Sequence, residues 1–194
     1  IDKSNNGNTG TMVGLSQATS PVAGQIGEAL NFNGGSIQRT SLTGVSGSAG
    51  AVSLWVKPNF NGTDSIDHRL IILDDGGSND YNDLYIEKNN LNLLYFSTAD
   101  ANSFIRPQSS APTNWLPGVW HFVTATWQLG GKSMLYVDGV LKDSKDYTEV
   151  FSGNRLYIGT SRAGSRPLNG SLDDVRIYNR ALSATEVQQL YNIP

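Results

Sequence analysis

Glu28, Glu87, Glu149 and Glu186 are the only glutamates, and each stands alone on its strand, turn or helix. Glycoside hydrolysis by paired carboxyls needs the two groups about 5–5.5 Å apart for retention, or farther for inversion. A strand can supply such a pair when acids recur at every second residue. Glu87 is followed by Lys88-Asn89-Asn90, with no acid at the second position. His68 and His121 are far apart in sequence, and neither sits in a metal-spaced pair. Cysteine is absent, which removes disulfides, thiolate metal sites and a cysteine nucleophile together. Neither a Gly-x-Ser-x-Gly elbow nor a phosphate-binding glycine loop occurs. The chain therefore reads as a non-catalytic protein.

Binding chemistry is better represented. A sugar ring stacks on an aromatic face while planar polar side chains take its hydroxyls. Tyr81, Phe104 and Trp115 fall in loop-like stretches, and Tyr85 and Arg106 lie close by in sequence. Arg162 and Arg166 bracket Ala163-Gly164-Ser165 in another loop, where they suit an acidic sugar or are simply solvated. Ligand contact is assigned to Tyr81, Tyr85, Arg106, Trp115, Arg162 and Arg166, with Trp115 equally open to plugging the sandwich rim. His121, beside Trp120, is read as structural. Trp55, Trp120, Trp127 and Tyr136 lie in strand-like runs and are expected to pack between sheets.

Short strands must hold these residues. Val52, Leu54 and Val56 alternate with Ser53, Trp55 and Lys57. Leu84–Ile86 and Leu91–Phe96 flank Asn89-Asn90, a hairpin turn. WHFVTATW at 120–127 alternates, and Asp138-Gly139 between two apolar runs is the strongest local hairpin signal in the chain. One short helix is expected, since Ser183-Ala184-Thr185-Glu186 forms a capping box before Val187, Leu190 and Tyr191. Twenty-one glycines and ten or so strands over 194 residues point to one all-β, two-sheet antiparallel sandwich. The net charge of −3 gives no footing for nucleic acid or an anionic membrane, and no apolar run reaches 18 residues.

The segments DKSNNGNTGTMVG, GQIGEALNFNGG, AVSLWVKP, WHFVTATW, LYVDGVLK, LYIG and NGSLDDVRIYNRALSATEVQQLY occur in that order. In this order they resemble the laminin-G-like jelly-roll domains of the concanavalin A-like lectin/glucanase superfamily. The resemblance covers nearly the whole chain, residues 1–194 as a single domain. Members usually open with an aromatic-rich strand before the Asp2–Asn8 loop. This chain starts inside that loop, so it reads as a piece of a larger protein with an exposed sheet edge.

The resemblance implies a non-catalytic carbohydrate-binding module of a secreted or cell-surface protein, with a polysaccharide or glycan as partner. The alternative is an adhesion module of the same fold that binds another protein. It also implies a structural calcium ion, a cation that takes oxygen ligands from carboxylates, amides and carbonyls. Alternation over 171–178 predicts Asp173 on the core-facing side with Val175 and Ile177, where a carboxylate needs a positive partner. Asp2 and Asp173, with Asn5 or Asn8, are the expected ligands; otherwise Asp173 pairs with Arg176 or a backbone amide, and Asp2 is a frayed terminal residue. Asp74, Asp75, Asp80 and Asp83 form a second acidic cluster, either another ion site or a solvated loop.

Overall fold

Alternation builds the sandwich. In the stretch Ala49–Pro58, Val52, Leu54 and Val56 enter the core between the sheets while Trp55 points outward. The computed structural model describes residues 2–4, 6–17, 20–77, 83–99, 104–105, 107–109, 115–148 and 150–193. Its strands are β1 (Thr11–Val13), β2 (Pro21–Ala23), β3 (Glu28–Asn31), β4 (Ser36–Arg39), β5 (Ala49–Pro58), β6 (His68–Asp74), β7 (Leu84–Lys88) and β8 (Leu94–Ala99). They continue with β9 (Phe104–Ile105), β10 (Gln108–Ser109), β11 (His121–Gln128), β12 (Lys132–Val137), β13 (Val140–Asp146), β14 (Arg155–Ile158) and β15 (Gly170–Tyr178). One helix follows, α1 (Ala184–Tyr191).

The eight-stranded sheet runs β1-β4-β14-β6-β7-β8-β10, with β9 also on β8. The seven-stranded sheet runs β13-β12-β11-β5-β15-β3-β2, and every pairing in both sheets is antiparallel. The expected jelly-roll sandwich is therefore the fold. Leu54, Val56, Leu70, Leu73, Ile86, Phe96, Val123 and Trp127 fill the space between the sheets. Each such side chain contributes about 1.5–3 kcal/mol. Trp127 sets a tight limit on its neighbour, because a Cβ on Gly50 would lie 2.2 Å from the indole.

Turn chemistry follows the sequence closely. Asp138 and Gly139 hold φ of 53° and 75°, the two positive values that a twisted two-residue hairpin demands. At the β7–β8 turn, Asn89 Oδ1 accepts from Leu91 N and Leu93 N. The capping box of α1 is complete: Glu186 N donates to Ser183 Oγ, and Ser183 N donates to Glu186 Oε2.

Two expectations need correction. Trp127 packs between the sheets, but Trp55 and Tyr136 do not. They lie on the outer face of the seven-stranded sheet, where Trp55 stacks on Tyr191 at 5.7 Å and Tyr136 joins Ala51, Leu182 and Val187. Trp120 precedes β11, half-buried under the Lys57 ammonium. The apolar face of α1 needs a cover, and these aromatics provide it. The alternation in β15 also breaks. A bulge falls between Asp173 and Arg176, with Asp174 at φ 47°. Leu172 enters the core, and Val175 and Ile177 regain that face beyond the bulge. Asp173 thus faces outward on the side of its cross-strand neighbour Trp55.

Candidate functional site

On β7 the residues Leu84 and Ile86 point into the core, so Tyr85 and Glu87 point out of the sandwich. The same parity on the neighbouring strands turns Ile72 (β6), Tyr95 (β8) and Tyr157 (β14) outward into one cluster. Tyr85 and Tyr95 meet edge to face at 5.8 Å, and the Arg69 guanidinium lies 3.8 Å over the Tyr85 ring. This outward face of the eight-stranded sheet is the candidate site.

Glu87 is the hub of its charges. Its Oε2 accepts from Arg69 Nε at 2.6 Å and from Arg166 Nη1 at 3.2 Å, and its Oε1 accepts from the Tyr95 hydroxyl at 2.7 Å. Arg69 is fully buried, a position an arginine holds only when paired. Burial, reinforced by Tyr85 and Glu87, pushes the Tyr95 phenol well above its ordinary range.

A second knot lies at the other end of the face. Arg162 Nη1 donates to Asp74 Oδ2 at 2.5 Å and stands 3.6 Å from Asp83 Oδ2. Backbone N–H groups of Asp75 and Gly76 donate to Asp83 Oδ1 and Asp74 Oδ1. Burial, with the Asp74 and Asp75 charges beside it, pushes the Asp83 carboxyl up to about 7, against the opposing pull of the Asp75 N–H and Arg162. Both arginines come from the loop after β14, which folds back so that Arg69 N donates to the Arg166 carbonyl. Ser161 N closes that loop onto Ser165 O, and the two serine hydroxyls meet at 2.8 Å.

The structure brings Tyr85, Arg162 and Arg166 to this face, but Tyr85 is 1% exposed with the Arg69 guanidinium over its ring, so of the three only the arginines open to solvent. Tyr81 and Arg106 lie outside the described residues, as does Asn5. Trp115 does not open to solvent: it is 1% exposed and stacks on His121 at 5.0 Å, with His121 Nδ1 held 3.0 Å from Asp138 Oδ2. Of its two readings, this is the rim plug. Tyr157, Tyr95 and Arg69 were not singled out in the sequence, and neither was Glu87 as a binding-face residue. Asp83, Tyr85 and Glu87 at alternate positions carried the signal, as did the outward Tyr157 between Leu156 and Ile158.

The expected calcium ligands fall into two separate settings. Asp2 accepts from Ser4 N, Ser4 Oγ and Asn8 N, and Asn8 exchanges bonds with Thr43. Asp173 accepts from Ile26 N at 2.8 Å and Asp174 N at 2.7 Å, not from Arg176, which pairs with Asp174. Among the described residues Asp173 makes no ion pair, although it is 6% exposed. Gly24 packs so closely against it that a Cβ there would fall 2.5 Å from Asp173 Oδ2. A buried carboxylate with no ion pair among the described residues is the feature that suits a cation at Asp173, although both its oxygens already accept backbone N–H bonds; Asp2 and Asn8, bonded to one another, share no hydrogen-bond partner with it among the described residues.

An outward-facing polar sheet on a two-sheet antiparallel jelly roll defines a lectin-type sandwich. Residues 31–188 match the laminin G-type family of the concanavalin A-like lectin/glucanases superfamily, and the chain belongs to that family. Among curated proteins it is similar to adhesion G-protein coupled receptor V1 of Danio rerio, 26% identical over 152 residues. That match takes in 74% of the chain and 2% of the receptor. Among solved structures it is similar to domain 4 of an extracellular GH43 arabinanase from Geobacillus stearothermophilus, solved with arabinotriose. The TM-score is 0.71 at 21% identity, over 97% of this chain and 91% of that one. It is also similar to the botulinum neurotoxin serotype D ligand binding domain solved with N-acetylneuraminic acid, at TM-score 0.69 and 20% identity. There it covers 95% of this chain and 46% of the other. At such identities these structures share the fold.

Proposed function

We propose that the chain is a non-catalytic carbohydrate-binding module of an extracellular or cell-surface protein. The carrying observation is the convergence of three tyrosines and three arginines on the outward face of one sheet. At its accessible margin stand Tyr157, half-buried, and Arg166, with 37% of its side chain exposed. Tyr157 offers a ring for a pyranose or furanose, and the guanidinium offers several N–H donors to hydroxyls. The arabinotriose-bound arabinanase domain supports this reading. The acids on the face argue for binding over hydrolysis. Asp74, Asp83 and Glu87 are buried to 1% exposure or less and already engaged. Asp83 and Glu87 lie four residues apart along one extended stretch, about 13 Å, beyond the reach of a carboxyl pair that cleaves a glycoside, and the closer Asp74 and Asp83, with oxygens within 4.8 Å, are buried and held by Arg162 and backbone N–H groups.

The test is retention on immobilised polysaccharides by the wild type, Tyr157→Ala and Arg166→Gln. Each substitution is expected to weaken retention about tenfold or more, in line with loss of one stacking or charge-assisted contact. Full retention by both variants, with unchanged melting, sinks this site.

A structural calcium ion belongs to the same proposal, with Asp173 as its carboxylate. Bound there, the ion would neutralise a buried charge and fix the 24–27 turn against β15.

One observation favours the second reading, a protein-binding adhesion module. β15 pairs with β5 up to Tyr178 but with β3 only at Ser171 and Leu172. Among the described residues, 175–178 therefore keep one unpaired backbone margin, a site for strand addition. The similarity to an adhesion receptor supports it. A polypeptide partner retained equally by wild type and Tyr157→Ala, with silence on glycans, would favour this reading.

A further inference from the structure

We infer that the glycan taken by this face is uncharged, a conclusion that rests on the carbohydrate reading and narrows it. Arginines in a sugar site ordinarily suggest uronate, sialate or sulfate. Here the three that reach over the face are already matched. Arg69 is held by Glu87 at 2.6 Å, and Arg162 by Asp74 at 2.5 Å with Asp83 at 3.6 Å. Arg166, the most open of the three, stands between Glu87 at 3.2 Å and Asp67 at 3.6 Å. Arg155 adds a fourth guanidinium beside Gly76 at the rim. Against these four stand five carboxyls, those of Asp67, Asp74, Asp75, Asp83 and Glu87. Among the described residues the face has no surplus positive charge.

An anionic sugar that approaches Arg69, Arg162 or Arg166 must then displace a protein carboxylate from its guanidinium. At Arg69 and Arg162 the displaced group is Glu87 or Asp74, each at most 1% exposed, so the exchange strands a buried charge; at Arg166 the anion also meets the Asp67 carboxylate at the surface. A hydroxyl makes no such demand. It accepts from an N–H on the solvent side of Arg166 and donates to a carboxylate such as Asp67, leaving every pair intact. Paired arginines thus act as neutral, rigid hydrogen-bonding plates, and the acids that pair with them repel the wrong ligand.

The experiment compares retention of the chain on linear arabinan and laminarin with retention on polygalacturonate and hyaluronate. It is run at about 10 mM and about 150 mM salt, where the screening length falls from roughly 30 to 8 Å. The expected result is binding to a neutral polymer, changed less than about twofold by salt, and at least about tenfold weaker binding to both anionic polymers. Asp67→Asn removes the exposed partner of Arg166 while keeping an oxygen for the Asn90 N–H. It is expected to raise anionic retention several-fold at low salt. Salt-sensitive binding of polygalacturonate or hyaluronate equal to or above the neutral polymers overturns the inference and leaves carbohydrate binding standing. Binding to none of the four overturns both.

Discussion

Glu87→Gln tests whether the outward face is held by its ion pairs. Glutamine keeps nearly the same shape but removes the charge that faces Arg69 at 2.6 Å and Arg166 at 3.2 Å. Arg69 has no exposure with which to recover hydration. Removing one member of a buried pair costs about 3–5 kcal/mol. For a chain of this size each kcal/mol moves Tm by roughly 2–4 °C, so the expected fall is roughly 6–20 °C. Replacing the pair by hydrophobic residues, Arg69→Met with Glu87→Leu, should be far milder than the sum of the two single changes, because no charge is stranded. Urea unfolding followed by tryptophan fluorescence measures all four proteins of the cycle. A loss below about 1 kcal/mol for Glu87→Gln, or strict additivity in the double variant, refutes the argument.

Asp83 makes a pH prediction. Burial holds it near 7 in the folded chain against an ordinary value of 3.8, so the unfolded state releases its proton first. Its contribution to stability is complete below pH 4, declines as pH rises to about 7, and is level above. Asp83→Asn should exceed the wild type by about 1–3 kcal/mol at pH 7.5, with the gap closing below pH 4, in urea melts across pH; an equal gap at both ends contradicts this. Trp115→Ala should cost about 3–5 kcal/mol by opening a cavity, while folded protein keeps its glycan retention. Lost retention at full stability would put Trp115 back in the site. Chelation should lower Tm in the wild type and leave Asp173→Asn unmoved, since an ion bound only by the folded state stabilises it. Identical wild-type melting with and without chelator removes the calcium proposal.

Much of the scaffold was legible because alternation and turn chemistry are local. Asp138-Gly139 and the Ser183–Glu186 capping box needed only neighbouring residues to declare themselves. The phase of β15 was hidden, because a bulge at Asp173–Arg176 depends on what β5 presents across the sheet. Trp55 and Tyr136 were misplaced for a related reason: period two says which residues share a face, not which face α1 will cover. The candidate site was legible only in part. Arg162 and Arg166 were visible as a pair, but their carboxylate partners arrive from positions 74, 83 and 87, a non-local pairing that no spacing reveals.

The margins of the seven-stranded sheet are guarded unequally. β13 closes one side with Lys142, Asp143, Lys145 and Asp146, several of them solvent-facing, the sort of alternating-sign fringe that discourages another strand from docking. β2 closes the other with three residues headed by Pro21. Between them the second half of β15 carries Val175, Ile177 and Tyr178, half-buried and with little charge beyond the internally matched Asp174–Arg176 pair. Self-association in concentrated solution should therefore begin along β15. Neither Ile177 nor Tyr178 suits a lysine that would block this, because both side chains pack on core clusters, so the margin is protected only by its own matched pair.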